Sequence, residues 1–178
     1  MTVKKFEDSE IAQKLSELYA YERDRNVRLA ITESLGDMST SDTDEMLLNI
    51  AKNDLNDVVR SAALRKLHER KKLKKAEMRK LILETIKNDH DVYPKQIALS
   101  IIPKYANQTV YADLKTIFDE ETKFKMRSLL YKTLVEIATK LDKEIDVDEP
   151  VKPKEEPIKK RKRRKKKKDR EAEEHLFF

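Results

Sequence analysis

The sequence predicts an all-α fold: a short α-solenoid of about four helix pairs, followed by a basic tail without a core of its own. Three observations lead there. A similar block returns four times: Val27-Arg28-Leu29-Ala30-Ile31 with Leu35, Val59-Arg60-Ser61-Ala62-Ala63-Leu64 with Leu67, Pro94-Lys95-Gln96-Ile97-Ala98-Leu99 with Ile102, and Met126-Arg127-Ser128-Leu129-Leu130 with Leu134. Its basic position recurs after 32, 35 and 32 residues, a near-fixed period in the range that marks stacked repeats. The 178 residues also include one Gly, no Trp and 42% charged side chains, poor material for sheets, whose turns consume Gly.

Each block is preceded by a second apolar stretch. Ile11, Leu15 and Leu18 precede the first, Met46, Leu47 and Ile50 the second, Met78, Leu81, Ile82 and Ile86 the third, and Leu114, Ile117 and Phe118 the fourth. Spacings of three and four put each set on one helix face, so every period reads as two helices joined by a short turn, about eight helices in all. The turns within pairs are the polar clusters Asp24–Asn26, Asn53–Asp57, Asn88–Asp91 and Asp119–Thr122, whose side chains can accept from the free N–H groups of a following helix. Between pairs, Gly36–Asp44 and Asn107–Thr109 read as longer connections, with Ser41 and Asp44 spaced for a capping box. The link from the second pair to the third carries only helix-forming Lys and Arg and no breaker.

The best copy of the block, Asp57-Val58-Val59-Arg60-Ser61-Ala62-Ala63-Leu64-Arg65-Lys66-Leu67, resembles the second helix of the HEAT-repeat family and its shorter HEAT-like variant. The resemblance covers roughly residues 8 to 142. It implies that Asp57 caps its helix and that Arg60 joins a ladder of polar contacts along the stack. The third copy departs with Pro94, tolerated in a first turn where its missing N–H would be unpaired anyway. The fourth departs with Leu129 and Leu130 in place of Ala, which should open the packing or mark a capping repeat.

The domain plan that follows is a helical unit over 1–145, a Pro/Glu/Lys linker over 146–158, a polybasic segment over 159–170 and an acidic-hydrophobic tail over 171–178. Pro150, Pro153 and Pro157 alternate with Lys and Glu, a composition that cannot bury enough apolar surface to offset chain ordering. Up to residue 145 there are 27 basic and 25 acidic residues, against 13 and 9 beyond it, so the tail carries most of the net charge of +6.

The polybasic run is unbroken: Lys159, Lys160, Arg161, Lys162, Arg163, Arg164, Lys165, Lys166, Lys167 and Lys168. Ten like charges meet a polyanion best, and on nucleic acid each neutralised phosphate releases counterions in a sequence-blind, salt-sensitive way. A nuclear-import signal, an anionic membrane surface and simple solubilisation are weaker readings of the same run. No aromatics interleave with it, so contact is expected with phosphate and not with stacked bases. A second cluster, Arg65 to Lys80, contributes Arg70, Lys71, Lys72, Lys74 and Lys75 as further nucleic-acid candidates. A protein partner is expected on the curved inner surface formed by the second helices, where Arg28, Arg60, Lys95 and Arg127 begin, and these four read equally as partner contacts or as structural ladder residues. The stretch Glu171-Ala172-Glu173-Glu174-His175-Leu176-Phe177-Phe178 reads as a partner-docking element through Leu176, Phe177 and Phe178, or as a segment that folds back onto the end of the helices.

Catalysis is not expected, and no cofactor, metal or small-molecule substrate is called for. With no Cys there is no thiolate chemistry and no disulfide, and three dispersed His, counting His68, His90 and His175, do not make a metal set. The HEAT-like enzymes that hold damaged DNA in Trp-rich grooves, or two irons in several His-Glu pairs, have no counterpart in a chain with no Trp and the single dipeptide His68-Glu69. One Gly excludes a phosphate-cradling loop. Without an apolar run long enough to span a bilayer, the expected location is cytoplasmic, at the nucleoid, or nuclear in a eukaryote.

Overall fold

The computed structural model describes residues 2–38 and 40–153, with the side chains of residues 2–8 and of Ser41 outside that description. The polybasic run, the Leu176–Phe178 segment, residues 154–158 and the side-chain half of the expected Ser41 capping box therefore lie outside the described residues. Among the described residues there are eight α-helices and no strand. In chain order they are α1 (Thr2–Tyr21), α2 (Arg25–Asp37), α3 (Ser41–Asn53), α4 (Asp57–Arg70), α5 (Lys75–Asn88), α6 (Val92–Ile101), α7 (Gln108–Glu120) and α8 (Phe124–Lys140), with a 3₁₀ turn over Ile102–Tyr105 after α6.

The turns within pairs are each three residues long and are built by local side-chain acceptors. Asp24 caps α2 by accepting from the N–H groups of Asn26 and Val27, and Asn56 caps α4 by accepting from Val58 and Val59. Asp57, expected to be the cap, stands instead at the first helical position, where an acid suits the positive end of the dipole. The fourth turn falls at Glu121–Lys123, because Asp119 continues α7.

Connections between pairs differ more from expectation. Gly36 does not open a loop: it is buried inside α2, and a β-carbon there would stand 2.4 Å from Lys66 Cγ and Cδ. The Gly thus serves the close approach of α2 to α4, and the connection shrinks to Met38–Thr40. Thr40 is the N-cap residue of α3, without a side-chain cap. Where no breaker was visible, the chain leaves α4 at Lys71, which takes the left-handed conformation at φ 53°. That position favours Gly, and a side chain there costs about 1 kcal/mol. Pro103 ends α6 by removing an N–H, and the chain tightens into the 3₁₀ turn before Asn107 caps α7.

Packing is continuous. Even-numbered helices contact in series, α2 on α4, α4 on α6 and α6 on α8, while α1 lies on α3 and α5 on α7. Contact is closest around α4, whose Ala62 and Ala63 are fully buried and let neighbouring backbones approach. The core runs through Leu35, Leu47, Ile50, Leu64, Leu67, Ile82, Ile86, Ile102, Leu114, Phe118, Leu130 and Leu134. The stripe expected on α1 is only partly covered: Leu15 packs partly buried against the core, but Ile11 and Leu18 are 47% and 50% exposed.

The chain does not leave the folded unit at residue 145. Leu141, Ile145 and Val147 pack against the core, and Asp146 accepts from the Tyr111 hydroxyl at 2.5 Å and from Lys115 Nζ at 2.6 Å. The Lys143 ammonium lies 4.0 Å from the centre of the Tyr111 ring. Residues 141–147 thus lie as a strap along α7 and α8, and the expected linker start at 146 falls within this packed stretch. Alternating Pro and Lys hid two aliphatic anchors and one acid placed opposite a lysine.

Replacing a helical Gly by Ala ordinarily stabilises by about 1 kcal/mol through propensity. At Gly36 the sign is reversed: Gly36→Ala forces Lys66 aside and is expected to destabilise by about 1–3 kcal/mol, read as a lowered urea midpoint with an unchanged slope.

Candidate nucleic-acid interface

Each second helix carries its basic residue at the fourth position, Arg28 in α2, Arg60 in α4, Lys95 in α6 and Arg127 in α8. A helical side chain leans toward its own N-terminus, so all four aim at the turn end of the pairs. There the first two meet acids that close the first helix of the next pair. Arg28 grips Asp54 with Nε at 2.8 Å and Nη2 at 3.0 Å, and donates Nη1 to the Arg23 carbonyl at 2.9 Å. The Tyr19 hydroxyl donates to the same carboxylate. Arg60 grips Asp89 with Nε at 2.9 Å and Nη2 at 2.7 Å, reaches Asp91 at 2.8 Å, and donates Nη1 to the Asp54 carbonyl at 2.7 Å.

Two staples thus run from α2 to the end of α3 and from α4 to the end of α5. The series then changes. Lys95 reaches only the Lys87 carbonyl, at 3.5 Å, while Arg127 turns back on its own pair, donating to the Phe118 and Glu121 carbonyls at 3.0 Å each and stacking 4.2 Å from the Phe118 ring centre. Arg28, Arg60 and Arg127 were read as partner contacts or as structural ladder residues; their guanidinium groups are engaged within the chain, as ladder residues would be. Lys95 alone remains available, at the mouth of a groove between α6 and α8.

The staple acids were read as helix caps because they sit in the polar clusters. Their signal was a second period: Asp54 and Asp89 are 35 residues apart, the same step that separates Arg60 from Lys95. Burial by itself would raise the Asp54 carboxyl, but hydrogen bonds from Arg28, Tyr19 and the Asn56 N–H outweigh it and hold its pKa below the usual carboxylate range. Asp89 is lowered likewise, burial being overcome by Arg60 and the Asp91 N–H.

The basic cluster at the opposite end divides in two. Arg70 is buried and structural: it pairs with Asp44 at 3.0 Å and donates to the Leu35 and Thr40 carbonyls at 2.9 and 3.3 Å, clamping the end of the first pair. It is withdrawn as a phosphate contact. Lys66 is held by Asp37 at 2.7 Å and Glu33 at 3.2 Å. Lys71, Lys72, Lys74 and Lys75 are different, exposed along the α4–α5 connection with no ion pair among the described residues.

Beside them Lys104 Nζ donates to His68 Nε2 at 3.0 Å, which leaves the ring proton on Nδ1, donated to the Tyr105 hydroxyl at 2.9 Å. Burial first, then the Lys104 and Lys71 charges, push the His68 pKa down, so the ring is neutral and this end stays rich in cations without a proton on it. His90 lies apart, in the α5–α6 turn. Among the described residues no group of three His, Asp or Glu side chains could hold a metal ion, and no helix is long and apolar enough to cross a membrane.

The two basic elements leave the folded unit from different ends. Lys152 and Pro153 lie beside Val92 and Phe124 at the turn end of α6 and α8, whereas the Lys71–Lys75 connection is at the far end of α4, about 20 Å away along a 14-residue helix. Comparison with family models, with curated proteins and with solved structures gives no match for this chain.

Removing one partner of a buried ion pair leaves the other charge stranded. Arg60→Ala is expected to cost about 3–5 kcal/mol at pH 7, in urea unfolding of the full chain. Because the Asp54 and Asp89 pKa values are lowered in the fold, their stabilisation is complete above the unfolded carboxylate value of about 4 and is lost as pH falls through the folded values. Wild-type stability should therefore hold from pH 5 upward and fall below about pH 4, with the gap to Arg60→Ala narrowing over the same interval.

Proposed function

We propose that this protein is a non-catalytic, HEAT-like adaptor: a short α-solenoid that holds a protein partner and anchors nucleic acid through phosphate contacts. The observation that carries the reading is the selective lack of partners at Lys71, Lys72, Lys74 and Lys75. Elsewhere on the second pair the cations are spent on carboxylates and carbonyls, as at Arg60, Lys66 and Arg70, while these four stand in solvent on one connection. Unpaired lysines on an edge with neutral His68 and Lys104 beside them suit a sequence-blind polyanion, because each neutralised phosphate releases counterions.

The run Lys159–Lys168 supplies the same chemistry at higher density. Because the chain reaches Pro153 at the turn end, the domain lysines and the tail would address separate stretches of one backbone. The HEAT-like reading draws support from the staples, since Arg28 and Arg60 each bridge one helix pair to the next at a repeating position. The protein partner would sit on the surface formed by the even-numbered helices, where Lys95 has no carboxylate at ion-pair distance among the described residues. A cytoplasmic or nucleoid location, or a nuclear one in a eukaryote, follows from the partner. A purely structural scaffold, with a basic tail for solubility or targeting, is the competing reading. It is favoured by the one fact that Arg28, Arg60 and Arg127 are all consumed internally.

Binding of fluorescent duplex DNA and structured RNA across a salt series separates the two. The full chain should bind with a log–log slope that falls by up to about 3.6 when Lys71, Lys72, Lys74 and Lys75 become Gln, at roughly 0.9 per phosphate. Replacing Lys159–Lys168 by Gln should remove most of what remains. A slope untouched by either set, or no binding at low salt, overturns the nucleic-acid reading and leaves the scaffold.

A further inference from the structure

We propose that the groove between the N-terminal ends of α6 and α8 is the seat of this chain's own Leu176-Phe177-Phe178 segment, steered there by Glu171, Glu173 and Glu174. The groove encloses about 550 Å³, within the range of sites that take a drug-sized ligand. Its floor is apolar, formed by Val92, Phe124, Met126 and Leu129, and Val92 is 53% exposed.

Its rim is basic. Lys95, Lys123 and Lys125 surround the opening, and none of them has a carboxylate at ion-pair distance among the described residues. The two rim acids are occupied: Asp91 by Arg60, and Glu121 by the Lys123 N–H, which it accepts at 2.8 Å. Both helices that open onto the groove also lack a side-chain cap, at Asp91 for α6 and Lys123 for α8. Their first-turn N–H groups add positive potential to that of the lysines. The surface thus calls for aromatic side chains preceded by carboxylates, and the sequence contains one such element, Glu171 to Phe178.

The strap delivers it. Asp146 on Lys115 and Tyr111 holds the chain along α7, and Lys152 and Pro153 already line the groove. From Pro153 to Leu176 is 23 residues, a contour of at most about 80 Å, so the element is tethered within reach of its seat, and tethered sites have effective concentrations up to the order of a millimolar. A segment with an intrinsic affinity of only about 0.1 mM would then be seated roughly ten times more often than free. This inference takes up the fold-back reading of Leu176–Phe178 and does not rest on nucleic-acid binding, so either can fail while the other stands.

The test uses the full chain. With p-benzoylphenylalanine in place of Phe178, irradiation of a dilute sample should cross-link within one molecule to peptides containing Val92–Gln96 or Lys123–Leu129. Cross-links only to other surfaces, or only between two molecules, overturn the proposal. In parallel, Leu176→Ala/Phe177→Ala/Phe178→Ala should speed amide exchange about tenfold at the first turns of α6 and α8 while leaving the centre of α4 unchanged. Equal exchange in both proteins at those first turns also overturns it.

Discussion

The arrangement of the helix pairs depends on two guanidinium groups whose hydrogen bonds are directed across the joints between pairs. Apolar burial draws the pairs together but is indifferent to small slides along the stack, because Leu, Ile and Val surfaces accept several neighbours. Arg60 is not indifferent. It makes four hydrogen bonds, two to Asp89 and one each to Asp91 and the Asp54 carbonyl, that coexist in one geometry. A sliding displacement would strand a charge in a site where its side chain is 9% exposed, which is far costlier than a shifted leucine contact. Asp54 is the node that joins the staples: its carboxylate takes Arg28 and Tyr19, and its carbonyl takes Arg60.

This view explains where the regularity ends. At the third pair Lys95 replaces Arg, and a point charge cannot form the planar two-pronged contact that guanidinium makes with a carboxylate. At the fourth, Arg127 satisfies the carbonyls of its own pair. Among the described residues the joint between α6 and α8 has no guanidinium–carboxylate staple, only Lys140 Nζ reaching the Pro103 carbonyl at 3.3 Å at its far end, and it is here that Leu129 and Leu130 replace Ala and a groove opens. The strap completes the packing instead, with Leu141, Ile145 and Val147 covering what another helix pair would have covered. The other end of the stack has no equivalent, and α1 keeps Ile11 and Leu18 half in solvent.

Sequence periodicity carried the helices because it reflects which side chains face inward. The sets at Met78, Leu81, Ile82 and Ile86 and at Leu114 and Phe118 are buried where their spacing puts them. Helix ends were less legible, for reasons that lie outside local sequence. Gly36 looks like a breaker until Lys66 of the next pair is brought against it, and Lys71 carries no mark of the left-handed turn it makes. Of the candidate site, the four exposed lysines could be named from sequence, but Arg70 could not be told from them. Only Asp44 and two distant carbonyls, all tertiary neighbours, separate a clamp from a surface cation.

The same distinction bears on how charge is distributed in a chain that is 42% charged. Cations near the joints are neutralised within the fold, which keeps them available for stability and takes them out of long-range electrostatics. Those on the α4–α5 connection, on the groove rim and in the Lys159–Lys168 run keep their fields in solvent, where screening over about 8 Å at physiological salt limits each to its own neighbourhood. With the connection and the groove at opposite ends of the pairs, separated by more than that length, the two basic surfaces act independently. An acidic-aromatic element seated at one end would neutralise that rim without weakening the lysines at the other, so the proposed seating of the chain's own segment and the proposed phosphate contacts would not compete.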